Sequence, residues 1–168
     1  MTIDIKDFLE AQELARPISE LVEINELKIG GKMLKIDPIE VSGELYLVDE
    51  EVYLNLDFEY TYTDVCDRCL GEFEQKNHAK WSTRVLTEES EETGDELEQF
   101  ILLADDFLLD LETQVEEAIV FSMPMKAICK SSCKGICPTC GKNLNEGPCS
   151  CDKEQVDERF AKLKELFE

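Results

Sequence analysis

Residues 52–62 read Val52-Tyr53-Leu54-Asn55-Leu56-Asp57-Phe58-Glu59-Tyr60-Thr61-Tyr62. The apolar residues Val52, Leu54, Leu56, Phe58, Tyr60 and Tyr62 alternate with Tyr53, Asn55, Asp57, Glu59 and Thr61, the period of a strand with one buried face. The preceding run supplies a partner: Val41, Gly43, Leu45 and Leu47 alternate with Ser42, Glu44 and Tyr46, and Val48-Asp49-Glu50-Glu51 carries the reversal. Residues 40–62 therefore read as a hairpin. A third strand is predicted from Phe73 to Leu86, with Phe73, Ala79, Trp81 and Val85 on one parity and Glu74, Lys76, His78, Lys80 and Arg84 on the other. Between the second and third strands lies Cys66-Asp67-Arg68-Cys69-Leu70-Gly71, a Cys-x-x-Cys at a hairpin tip.

The chain has eight cysteines, and the other six crowd into residues 129–151: Cys129, Cys133, Cys137, Cys140, Cys149 and Cys151. Two thiolates separated by two residues converge on one tetrahedral ion when a tight turn brings both sulfurs to the same side, and two such pairs close a zinc shell. Cys137-Pro138-Thr139-Cys140-Gly141 is the sharpest of these segments. Proline presets one dihedral of the turn, and glycine after the second cysteine can take positive φ, which lets backbone N–H groups point at the sulfurs. The expected cofactor is Zn²⁺, as one or two ions.

Disulfides and thiol redox chemistry are the competing readings of the same cysteines. Met1 to Glu10 carries Asp4, Asp7 and Glu10 among isolated apolar residues, which does not match a basic segment followed by an apolar run. No stretch approaches the roughly 20 apolar residues of a membrane span. The expectation is a cytoplasmic protein in a reducing compartment, where cysteines serve as thiols and metal ligands. The chain has a single histidine, His78, in a strand-like run, where it reads as a solvated strand residue.

With 168 residues and 43% hydrophobic content the chain can bury one ordinary core with a small appended unit. Its 17 Lys and Arg against 39 Asp and Glu give a net charge of −22. Such a surface repels phosphate backbones, because nucleic-acid affinity comes largely from Lys and Arg displacing counterions. A basic protein partner is electrostatically easier. The acidic run from Glu88 to Glu98 reads as a loop.

Ile29-Gly30-Gly31-Lys32 reads as a two-residue hairpin turn rather than a phosphate loop, since no G-x-x-x-x-G-K-[ST] surrounds it. Asp110 to Met123 is predicted helical, with Asp110 as N-cap and Leu111, Val115, Ala118 and Ile119 at helical spacing, and should pack on the sheet. Pro124 then leads into the cysteines. A second helix is predicted after Asp152, where Val156, Phe160, Leu163 and Phe167 form one apolar stripe. The expected fold is α+β: a mainly antiparallel β-sheet, with a barrel as one form it can take, two helices and a C-terminal Cys-rich zinc-binding module. The expected parts are a β-rich core with one helix and an acidic loop (88–98) over residues 1–128, the Cys-rich module over 129–151 and the C-terminal helix over 152–168.

Three blocks of the chain resemble the bacterial and plastid YceD family of large ribosomal RNA subunit accumulation proteins. Cys66-Asp67-Arg68-Cys69-Leu70 is similar to the family's C-x-R-C-L. The block from Cys133 to Asn145, Cys-Lys-Gly-Ile-Cys-Pro-Thr-Cys-Gly-Lys-Asn-Leu-Asn, is similar to the C-K-G-L-C-P-x-C-G-x-N-L-N of its cysteine-rich branch. Asp157-Glu158-Arg159-Phe160-Ala161-Lys162-Leu163 is similar to the closing D-P-R-x-x-x-L, with Glu158 where proline is usual. The resemblance implies a role in ribosome biogenesis, specifically accumulation of the large-subunit (23S) ribosomal RNA. Some branches of the family lack most of the cysteines, so metal is expected to act as a branch-specific staple.

The expected function is that of a non-enzymatic, zinc-stabilised assembly factor whose acidic surface meets a basic ribosomal protein or pre-ribosomal assembly factor. The expected ligand sets are Cys137, Cys140, Cys149 and Cys151 at one site and Cys66, Cys69, Cys129 and Cys133 at the other. Local loop closure favours the first set, since closure entropy grows with loop length. A ribbon joining Cys66 and Cys69 to Cys137 and Cys140 remains the alternative. Two other classes stay open. A zinc-ribbon nucleic-acid binder would use Lys126, Lys130, Lys134 and Lys142, and a thiol redox protein would use Cys66 and Cys69, although a catalytic Cys-x-x-Cys normally opens a helix. No G-x-S-x-G or H-E-x-x-H is present to suggest hydrolytic chemistry.

Overall fold

Glu51–Val65, the strand β6, is the axis of a seven-stranded sheet in the computed structural model, which describes residues 2–24, 26–86, 100–102 and 107–151. In chain order the other elements are β1 (Thr2–Asp4), α1 (Ile5–Glu10), β2 (Ala15–Val22), β3 (Glu26–Ile29), β4 (Lys32–Ile36), β5 (Ile39–Val48), β7 (Glu72–Leu86), β8 (Phe100–Leu102), β9 (Leu108–Asp110) and α2 (Leu111–Ser122). β6 is long enough to serve two partners along one edge. β5 pairs with it from Val48↔Glu51 to Val41↔Phe58, and β4 takes over at Ile36↔Tyr62 and Lys35↔Thr63. Its other edge is occupied throughout by β7, from Val52↔Val85 to Val65↔Glu72.

The three strands expected from alternation are thus present as one antiparallel meander. The reversal between β5 and β6 is a two-residue turn with φ of 50° at Asp49 and 68° at Glu50. Both central residues are left-handed, which matches the right-handed twist of the flanking strands. Gly30 and Gly31 make the corresponding turn between β3 and β4, with φ of 58° and 86°.

The sheet does not close. β2 pairs with β5, β3 with β4 and the short β8 runs parallel to β7, and among the described residues no pairing joins these outer strands. The barrel form is therefore set aside: because β5 and β4 follow one another along β6, the sheet branches at that edge instead of curling back on itself. A separate two-stranded pair joins β1 to β9, from Thr2↔Asp110 to Asp4↔Leu108.

The inward side chains Val52, Leu54, Leu56, Phe58, Tyr60 and Tyr62 of β6 are all buried, as are Ala79, Trp81, Thr83 and Val85 of β7. α2 covers this face, burying Leu111, Gln114, Val115, Ala118 and Ile119, while α1 adds Ile5 and Phe8. Each large apolar side chain removed from water contributes roughly 2 kcal/mol. Polar groups that enter the core are paired: the Trp81 indole N–H donates to Gln114 Oε1 at 3.3 Å, and the Tyr60 hydroxyl lies 2.8 Å from Ser122 Oγ. α1 was not anticipated. The expected acidic loop at 88–98 and C-terminal helix at 152–168 lie outside the described residues. No described helix is long and apolar enough to cross a membrane.

Candidate metal centres

The tip between β6 and β7 is a knuckle. The Cys66 N–H donates to Gly71 O at 2.9 Å, the Leu70 N–H returns to Cys66 O at 2.9 Å, and Leu70 takes φ of 58°. The same hydrogen bonds recur in the second knuckle. There the Cys137 N–H donates to Lys142 O at 2.8 Å, the Gly141 N–H to Cys137 O at 2.9 Å, and Gly141 takes φ of 73°. Two segments far apart in the chain therefore build one motif, with the residue after the second cysteine left-handed in each. The Cys66–Cys69 segment is a turn between strands, unlike the helix start that activates a redox Cys-x-x-Cys.

The structure gathers the eight cysteines into two quartets. The sulfurs of Cys66, Cys69, Cys129 and Cys133 all lie within 4.8 Å of one another, and so do those of Cys137, Cys140, Cys149 and Cys151. All eight are free thiols. In the first quartet the Cys66 and Cys133 sulfurs are 3.9 Å apart and those of Cys69 and Cys129 are 3.8 Å apart. A tetrahedron with Zn–S bonds of about 2.3 Å has an edge of about 3.8 Å. These separations suit four sulfurs around one zinc ion. Cys66 and Cys69 are not brought to Cys137 and Cys140, the arrangement that the ribbon alternative requires.

The first quartet is the more enclosed. Cys66 is fully buried and Cys133 nearly so, whereas in the second quartet Cys137 is buried and Cys140 exposed. Backbone donors reach the sulfurs. The Cys129 N–H approaches Cys66 Sγ at 3.4 Å, and this contact leads in holding the Cys66 thiol down at about 6 against the cost of burial. Burial, followed by the neighbouring Cys66 thiol, pushes Cys129 up to about 12. In the second quartet the Cys140 and Thr139 N–H groups hold Cys137 at about 6, while the adjacent Cys140 sulfur pushes Cys151 up to about 12. Each quartet thus mixes thiols that readily ionise with thiols that resist, since four close sulfurs cannot all be anionic without a cation between them.

Two charged residues of the first knuckle, Asp67 and Arg68, hold the cysteine-rich segment in place. The Asp67 N–H donates to Ala127 O at 2.8 Å, and the Asp67 carboxylate accepts the Ala127 N–H at 2.9 Å. Arg68 Nη1 donates to Cys133 O at 3.2 Å and Ser131 O at 3.4 Å, while Arg68 O accepts the Ile136 N–H at 3.0 Å. Gly135, at φ of 73°, sits so close that a β-carbon there would lie 3.0 Å from Arg68 O. The spacing of the cysteines carried no signal of these contacts. Their clue was the pair of charged residues between the two ligand positions.

Outside the quartets, much of the sheet's outer face is charge-paired. Lys76 meets Glu59 at 2.6 Å, His78 and Lys80 meet Asp57 at 2.7 and 3.5 Å, and Arg84 meets Glu51 at 2.9 Å. His78 is a half-exposed strand residue, and its hydrogen bond is the chief cause that lowers Asp57 below the usual carboxylate range.

An antiparallel sheet that carries one cysteine knuckle at a hairpin tip, bridged to a second cysteine-rich segment, defines a scaffold with a thiol-rich tail module. The family model described as large ribosomal RNA subunit accumulation protein YceD matches residues 54–167, and the chain belongs to that family. The chloroplastic large ribosomal RNA subunit accumulation protein YCED homolog 1 of Arabidopsis thaliana is 35% identical over 60 residues, 36% of this chain and 19% of that protein. The homolog of the same name from Zea mays is 33% identical over 60 residues, 35% of this chain and 20% of its own. An uncharacterised protein of Mycobacterium tuberculosis is 37% identical over 62 residues, 37% of this chain and 30% of its own. The chain thus spans less than a third of the length of these relatives. No solved structure matches it.

Proposed function

We propose that this protein is a non-enzymatic, zinc-stabilised factor of ribosome biogenesis, needed for accumulation of the large-subunit (23S) ribosomal RNA and working in the cytoplasm. Cys66, Cys69, Cys129 and Cys133 hold one ion, and Cys137, Cys140, Cys149 and Cys151 hold the other. Zinc has no redox chemistry of its own and, with four sulfur ligands, no open position for a substrate. Its role is to close the tail module and fasten it to the sheet. The observation that carries this reading is the tetrahedral spacing of the first quartet's sulfurs, in a chain belonging to a family named for ribosomal RNA accumulation.

The partner is a basic protein of the large subunit or of its assembly pathway, drawn by the net charge of −22. The charge ladder between β6 and β7 neutralises part of the outer face, so exposed carboxylates such as Glu40 and Glu44, which have no ion pair among the described residues, provide the contact. A second reading is favoured by one observation: Lys126, Lys130, Lys134 and Lys142 are exposed around the quartets, with no ion pair among the described residues. In that reading the module touches nucleic acid.

Depletion of the protein, with rescue by wild-type and Cys66→Ser forms, tests the reading. Large-subunit rRNA should fall relative to small-subunit rRNA, and only wild type should restore it. Crosslinked partners recovered from lysate at low and raised salt separate the two contacts. A basic protein lost at raised salt supports the acidic surface, whereas RNA lost on charge reversal of the four lysines supports the second reading. Unchanged rRNA levels on depletion refute the proposal.

A further inference from the structure

The loop of the second quartet reaches back to the first. Between Cys140 and Cys149 the chain folds against residues 133–137: Ile136 and Asn143 form an antiparallel bridge, and the Leu144 N–H donates to Gly135 O at 2.9 Å. This fold lays Asn145 over Cys133. Asn145 Oδ1 accepts the Lys134 N–H at 2.9 Å, which fixes the orientation of the amide, and Nδ2 donates to Cys133 Sγ at 3.4 Å. Asn143 steadies it, its Oδ1 accepting the Asn145 backbone N–H at 3.0 Å and Nδ2 at 2.9 Å. Cys133 belongs to the first quartet, whereas Asn145 rides on the loop that Cys140 and Cys149 close.

We infer that Asn145 is a positioning residue for the first metal site, and that through it the two sites load cooperatively. An N–H aimed at a thiolate spreads its charge and holds the sulfur in place for the ion. Filling the second site orders residues 140–149 and so sets Asn145 in place. By linkage, filling the first site must strengthen the second by the same factor. The inference rests on the reading that both quartets bind a divalent ion.

The test is zinc titration of the reduced full-length protein against a chromophoric chelator, with folding of each variant checked by circular dichroism. Asn145→Asp keeps the acceptor for the Lys134 N–H but turns a carboxylate oxygen toward the Cys133 sulfur. It should weaken the first site, the one abolished by Cys66→Ser, by about 10-fold or more. It should also move the cadmium-113 resonance of that site. Cys140→Ser with Cys149→Ser should weaken the first site similarly, and adding Asn145→Asp to that pair should cost much less than it does in wild type. Two bound equivalents with an unchanged first site in Asn145→Asp overturn the inference alone, as do effects that multiply independently. A wild-type protein that takes up no zinc overturns the metal reading as well.

Discussion

The sulfur of Cys66 lies 3.9 Å from that of Cys133, 67 positions later in the chain. This contact ties the end of the longest strand pair to the thiol-rich tail, whereas the second quartet is closed locally between residues 137 and 151. Loss of the two sites should therefore differ in consequence. Cys66→Ser is expected to lose one equivalent of zinc, lower Tm by about 5–10 °C and open residues 124–133 to proteolysis. Cys140→Ser should also lose one equivalent, yet lower Tm by only about 2 °C. Mass spectrometry of the native protein and calorimetry read both.

Arg68 should act as a clamp rather than a partner-reading residue. Arg68→Ala frees the carbonyls of Cys133 and Ser131 and is expected to cost about 1 kcal/mol while both metal equivalents remain. Arg68→Lys should recover part of the loss, because both bonds leave the one nitrogen Nη1 and an ammonium also carries several N–H donors. Chemical denaturation beside metal analysis distinguishes this outcome from loss of a ligand.

Gly43 faces Leu56 across β5 and β6. A β-carbon built on it would overlap the carbonyl oxygen of Asn55 and lie 2.9 Å from Leu56 Cδ2. Gly43→Ala should push the strands apart and cost about 3 kcal/mol, measured as a fall in the denaturation midpoint.

Asp110 caps α2, accepting the Glu112 N–H at 3.3 Å and the Thr113 hydroxyl at 2.9 Å. The Thr113 hydrogen bond leads in holding its carboxyl below the usual carboxylate range. A carboxyl lowered on folding stabilises the fold above its unfolded value, and that contribution fades as pH falls through the lowered one. Asp110→Ala should thus cost about 1 kcal/mol near neutrality, with the difference from wild type shrinking below about pH 4. Paired denaturation curves across that range check it.

Alternation made β5, β6 and β7 legible because one face of each is buried, and the two-residue turn at Asp49 and Glu50 sets the register between β5 and β6. Cysteine spacing picked out the two Cys-x-x-Cys turns, which have few shapes, but left open which other sulfurs each would meet. What escaped was short or carried by single polar residues. α1 is six residues long, β1 and β9 three each, and the signal in Asp4, Ile5 and Phe8 spans less than two turns. The openness of the sheet depends on β4 following β5 along β6, a non-local choice that no window of sequence contains. Arg68 and Asn145 look like solvated polar residues until the fold places carbonyls and a sulfur beside them.

The 67-residue interval between Cys66 and Cys133 also has a meaning in time. At elongation rates of about 5–20 residues per second, the hairpin tip leaves the translating machinery several seconds before its partners exist. During that pause two bare thiols stand at the end of a nascent sheet, open to oxidants and to stray ions. Residues 137–151, by contrast, carry their whole quartet within one short span and can close at once. Biosynthesis therefore leaves the older pair waiting until residues 129–133 emerge, and the segment that closes the second quartet follows them.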